Sequence, residues 1–155
     1  MLGLILFLAG SAFPSNSTTS WMHPESFHLV IGMKRADALA VLSANGQKPE
    51  KGGDEDHLIV DYTPTRSLTL EFQRDRLRSI RFEMFMPANQ VESAFQEERK
   101  FLEESLGAPR AVKSPSMLIY DTTLPNVMVV FTRDSSKGLG TLLVRYFDPV
   151  VKSGR

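Results

Sequence analysis

Nucleophilic catalysis needs an activated Ser, Thr or Cys held beside a base. This chain has no cysteine and no Gly-x-Ser-x-Gly elbow, and its only imidazoles are His23, His28 and His57. His23 and His28 stand five positions apart with Pro24 between them, so they share no helical face and make a poor metal pair. Asp54-Glu55-Asp56-His57 is the densest group of metal-type ligands, but the polar stretch Lys48 to Asp56 lacks the alternating spacing of a calcium loop and reads as a solvated loop. Glycoside chemistry asks for two carboxyls about 5–10 Å apart across a cleft. The acids available, Glu97, Glu98, Glu103 and Glu104, share a helical stretch with Arg99 and Lys100, and are expected on its wet face as i,i+4 partners. Gly138-Leu139-Gly140 lacks the third glycine of a phosphate cradle and precedes a strand, so it reads as a hairpin turn. No catalytic residue, metal or cofactor is therefore expected. What remains is a local concentration of arginine, Arg74, Arg76, Arg78 and Arg81, suited to an acidic protein surface or anionic headgroups, with Glu71, Asp75 and Glu83 near enough to pair with them across strands.

The elements that would position these arginines come from a duplication. Leu58 to Phe72 aligns without a gap with Met117 to Phe131, and Phe72-Gln73-Arg74-Asp75 answers Phe131-Thr132-Arg133-Asp134. Each copy reads as an apolar strand, a proline-containing turn, a strand ending in Phe, an Arg-Asp turn, and a longer strand over 77–86 or 139–147. A helix precedes each trio. In the first copy Ala38, Leu39 and Leu42 recur at helical spacing before the stop Asn45-Gly46; in the second, Val91, Ala94, Phe95, Phe101, Leu102 and Leu106 form one stripe closed by Gly107. The expectation is an α+β domain of two tandem helix-strand-strand-strand repeats, residues 27–86 and 87–149, whose antiparallel sheet is covered by helices on one face. Leu68, Leu70 and Phe72 alternate with Thr69, Glu71 and Gln73, which predicts one wet face there. The second copy carries apolar residues on both faces, for example Val127 to Phe131, which points to burial within a joined sheet or to an apolar patch for a partner.

The composition fits one globular domain: 155 residues, 42% hydrophobic and 23% charged, with 18 basic against 18 acidic side chains. That balance carries no electrostatic footprint for phosphate backbones, so nucleic acid is not an expected partner. Leu2 to Ala9 is an uninterrupted apolar run followed by small residues. It is too short to span a bilayer and reads as a signal peptide over 1–13, cleaved near Ala12. Residues 14–25 then form a flexible linker and 26–150 the domain, with Trp21 capping the core. A cysteine-free exported chain fits a bacterial periplasmic or secreted protein better than a disulfide-stapled extracellular module.

Two short stretches resemble a known family. Ile31-Gly32-Met33-Lys34-Arg35-Ala36-Asp37-Ala38-Leu39 is similar to the glycine-methionine helix start of the SmpA/OmlA (BamE-like) outer-membrane assembly lipoproteins, and Leu106-Gly107-Ala108-Pro109 resembles their Leu-Gly-x-Pro helix exit. The tandem arrangement is similar to that of the β-lactamase inhibitory proteins. Lys34 stands where the lipoproteins commonly place a capping threonine, and the acceptor cysteine for a lipid is absent. The resemblance implies a concave sheet that grips another protein. The expected function is thus a non-enzymatic exported binding module, monomeric or weakly oligomeric, with peripheral contact to the cell envelope. A small-ligand carrier or small hydrolase with a pocket between the repeats is the alternative.

Overall fold

The computed structural model describes residues 21–51, 56–120, 126–134 and 137–148, with the backbone alone at Lys51, Val129, Val130, Phe131 and Arg133. The expected signal peptide, the first part of the linker, and Asp54 and Glu55 of the acidic cluster lie outside the described residues. The chain is α+β, with two α-helices and one antiparallel sheet.

Its elements run α1 (Arg35–Ala44), β1 (Glu50–Lys51), β2 (His57–Thr63), β3 (Arg66–Gln73), β4 (Arg76–Pro87), α2 (Val91–Leu106), β5 (Ala111–Ser114), β6 (Met117–Tyr120), β7 (Asn126–Asp134) and β8 (Leu139–Phe147). The strands lie in the order β1-β2-β3-β4-β8-β7-β6-β5, so the last strand of each meander meets the other in the middle. Short β1 and β5, absent from the three-strand expectation, form the two edges, where brevity and polar residues limit edge-to-edge association.

Side chains alternate across a strand, and the buried cluster takes every second one. It gathers Leu58, Val60, Leu68, Leu70, Ile80, Phe82, Leu118, Leu142 and Val144 from the sheet with Ala38 and Leu42 of α1 and Val91, Phe95 and Leu102 of α2. Helix α1 ends at Asn45 with Gly46 at φ +72°, the left-handed stop read from the sequence, and α2 is closed as expected by Gly107, whose φ of +83° suits glycine. Lys34 is the N-cap of α1 and supplies no side-chain cap. Gly140 lies inside β8 rather than in a turn. A Cβ placed there would stand 2.7 Å from Val91 Cβ, so its lack of a side chain is what lets α2 approach β8.

The two Arg-Asp sites differ. Arg74 (φ +50°) and Asp75 (φ +61°) form a two-residue turn with both residues left-handed, matching the twist of a hairpin. Arg133 and Asp134 instead lie within β7, opposite Gly140 and Leu139, and the connection comes later. The gap-free alignment also slips in its first strand. Leu58 pairs with Leu70 and Leu118 with Val129, so Leu58 corresponds to Leu118 and not to Met117. A one-residue slip exchanges faces, and the buried residues are accordingly Leu58 and Val60 in one strand, Leu118 and Tyr120 in the other.

The residues expected to close a linker are packed instead. Trp21, Met22, His23 and Pro24 are buried, and Pro24–Phe27 forms a short 3-10 helix. Trp21 stacks on Tyr62 at 6.0 Å between ring centroids and meets Phe82 edge-on at 5.7 Å, capping the core.

Candidate functional site

The residues between the core positions point to the opposite face of the sheet, and register lines them up in rows. One row crosses all eight strands: Ala111, Ile119, Met128, Arg145, Arg81, Thr69, Ile59 and Glu50. On one side of it run Met117, Leu143, Glu83 and Ser67; on the other run Asn126, Phe147, Ser79, Glu71 and His57. Arg81 and Arg145 are direct cross-strand neighbours at the centre, a repulsive placement unless each charge is matched. The matching is present. Arg145 Nη2 donates to Glu71 Oε2 at 2.7 Å and its Nε to Ser79 Oγ at 2.8 Å, while Arg81 lies 3.6 Å from Glu83 and reaches Thr69 Oγ1 at 3.4 Å.

Beside this charged centre the same face turns apolar. Met117, Ile119, Met128, Leu143 and Phe147 are half-buried, and Phe85 and Leu139 are exposed at 44% and 48%. The second meander therefore carries apolar side chains on both faces, with those of this face only partly covered. Burial in the middle of a joined sheet explains Val127, Leu142 and Val144, and does not extend to Met128 and Leu143.

Of the arginines singled out from the sequence, only Arg81 stands in this central row. Arg74 is exposed in the hairpin turn, and Arg76 donates to the Gly32 carbonyl at 3.1 Å. Arg78 is the extra residue of a bulge, since Glu71 faces Ser79 while Phe72 faces Leu77, and it pairs with Asp148 at 2.5 Å. The acids also differ in their pairing: Glu71 serves Arg145, and Asp75 lies 4.0 Å from Arg35. Arg145 was not among the expected residues. Its signal was its place in Leu142-Leu143-Val144-Arg145-Tyr146-Phe147, a single charge in an apolar strand.

Around Arg78 and Arg145 the surface opens into a cleft of about 520 Å³ that also includes Asp56, Glu71 and Asp148. Its acids already have cations: Arg35 for Asp56 at 3.5 Å, Arg145 for Glu71, Arg78 for Asp148. Among the described residues no group of three or more His, Asp or Glu side chains is arranged to hold a metal ion, and no helix is long and apolar enough to cross a membrane.

A second polar cluster lies inside the core. Glu98, expected on the wet face of α2, is completely buried in the stripe with Val91, Ala94, Phe95 and Leu102. Its Oε2 is 3.6 Å from His23 Nε2, and His23 Nδ1 is hydrogen-bonded to the Tyr146 hydroxyl at 2.9 Å. The His23 ring packs on Phe101 at 4.3 Å. Burial lowers the His23 pKa from 6.5 to about 4 and raises that of Tyr146 well above its ordinary value, the carboxylates of Glu98 and Glu25 adding to the latter. Tyr120, also buried, is pushed up to about 12 by desolvation, then by Glu103. Helical spacing held the signal for Glu98, which falls three and four residues from Ala94, Phe95, Phe101 and Leu102. With 3% or less of the His23 and Glu98 side chains exposed, the cluster is closed to substrate. Glu97, Glu103 and Glu104 keep the solvent-side role, with Arg99 bonded to Glu103 at 2.8 Å and Lys100 4.0 Å from Glu104. Compared with protein-family models, curated proteins and solved structures, the chain finds no match.

Proposed function

We propose that this chain is a non-enzymatic, exported protein-binding module that grips its partner on the sheet face carrying Arg81, Arg145, Met128 and Leu143. In this reading two tandem repeats, each a helix followed by a meander, build one sheet whose helices shield the other face. The duplication is supported by the strand order, in which each half adds strands outward from β4 or β8, and by the corresponding register rows Leu58-Leu70-Ile80 and Leu118-Val129-Val144; at Phe72 and Phe131 the two registers differ by the bulge after Glu71. Export is supported by the apolar run Leu2 to Ala9. The resemblance to BamE-like and β-lactamase inhibitory proteins points the same way, toward a sheet that binds protein and touches the cell envelope only peripherally.

The observation that carries the reading is the row Ile119-Met128-Arg145-Arg81. Methionine, aliphatic groups and arginine side by side are the composition of an interface centre, where a desolvated arginine anchors and the apolar flank excludes water. Arginines pre-ordered by Glu71, Ser79, Glu83 and Thr69 lose little freedom on binding. A carrier or hydrolase would use the cleft beside Arg78, where the acids are committed to internal pairs.

Methionine footprinting tests the reading without altering the protein. Peroxide is expected to oxidise Met117 and Met128 ahead of Met22 and Met84 in the isolated chain. Envelope extract containing the partner is expected to slow Met117 and Met128 while leaving Met33 unchanged. Protection at Met33 alone would move the binding surface elsewhere.

A further inference from the structure

We propose that Trp21–Leu29 is an acid-released strap, undocked from the core while the sheet stays folded when the buried His23–Glu98–Tyr146 cluster takes up a proton. Among the described residues the strap joins no strand. Backbone bonds close within it, Ser26 to His23 at 3.0 Å, His28 to Glu25 at 3.2 Å and Leu29 to Pro24 at 3.0 Å, and buried side chains fasten it to the core. Trp21, Met22, Phe27 and Leu29 supply the apolar part, each buried in the common core. His23 supplies the polar part, placed between α2 and β8.

Among the described residues, titratable groups meet this cluster from several elements. Glu98 comes from α2, Tyr146 from β8, and Glu25 from the strap itself, acting on Tyr146. Tyr120 of β6 feels Glu98 from the far side, along with Glu103 and Arg99. An ionised Glu98 attracts a proton to His23, whereas burial repels it. Burial dominates because both side chains are sealed from water, where an isolated charge is costly. The docked ring therefore refuses, down to a pH of about 4, a proton that a released ring binds at about 6.5. Docking is at full strength above about pH 6.5 and weakens as the pH falls toward 4. Proton uptake belongs to the coupled cluster, so its apparent midpoint lies between those limits.

Trp21 is the only tryptophan and sits two residues from His23, which makes its fluorescence a direct reporter. On acidification its emission is expected to shift to longer wavelength with a midpoint between pH 4 and 6.5, while the far-ultraviolet circular dichroism of the sheet is unchanged. His23→Gln keeps a hydrogen-bonding side chain without the titration, and is expected to flatten the transition. Proton resonances of the His23 ring in the unsubstituted protein, expected to titrate below 6.5 together with the emission change, decide the matter should that variant fail to fold. The proposal is overturned by constant emission down to pH 4, by emission and circular dichroism changing together, by the same midpoint in His23→Gln, or by a His23 ring titrating at 6.5 or above.

Discussion

Glu98 and Arg145 show how one side chain can contradict its neighbourhood. Both interrupt an apolar pattern, one in a helix and one in a strand, and each meets residues from distant parts of the sequence: Glu98 lies 3.6 Å from His23, and Arg145 is hydrogen-bonded to Glu71 and Ser79. Periodicity revealed their positions, and their partners could not be read from it because pairing across 74 residues depends on strand order. Two substitutions test the residue-level account. The Tyr120 hydroxyl is buried without a hydrogen-bond partner among the described residues, so Tyr120→Phe is expected to raise stability by about 1 kcal/mol in urea unfolding, the cost of the stranded group. Asp75 holds a left-handed backbone that costs an L-residue about 1–2 kcal/mol. Asp75→Gly is expected to raise the thermal midpoint, because its exposed contact with Arg35 at 4.0 Å contributes less than that.

At the level of elements, both helices and their glycine or asparagine stops were legible, since capping is a local property of the chain. Strands β3, β4 and β8 were legible too, from alternation and from the hairpin turn. Three features escaped. Strands β1 and β5 are too short and polar to carry a pattern, and they exist because a neighbouring edge offers hydrogen bonds. The second Arg-Asp pair was assigned to a turn by analogy with the first, although strand pairing continues to Asp134. The linker, drawn as residues 14–25 from the Ser/Thr/Asn tract before Trp21, was carried too far, since Trp21 caps the core as expected and Met22, Phe27 and Leu29 complete it. Contact between α2 and β8 is testable at Gly140. Gly140→Ala is expected to destabilise the fold by about 1–3 kcal/mol, because the new methyl meets Val91. Val91→Ala added to it is expected to return part of that loss, a non-additivity that denaturant titration of the two single variants and the double variant would show.

For the whole molecule, the antiparallel α+β class followed from the sequence, and the central meeting of β4 and β8 did not, because two meanders can join along other edges. That junction matters for the proposed activity. It sets Arg81 beside Arg145 and extends the apolar flank of the second meander from a charged centre contributed by both halves. The proposed partner surface therefore belongs to neither half alone. Leu143→Arg, at a half-exposed position on this face, is expected to change stability by no more than about 0.5 kcal/mol while abolishing partner binding. The most direct measurement of the central claim is site-specific photo-cross-linking in the producing cells, with a benzophenone amino acid at Met128 or, for comparison, at the exposed Glu104 of α2. A discrete protein adduct from position 128, absent from position 104 and lost when Leu143→Arg is added, is the expected result. Adducts from position 104 alone, or none from position 128, would contradict it.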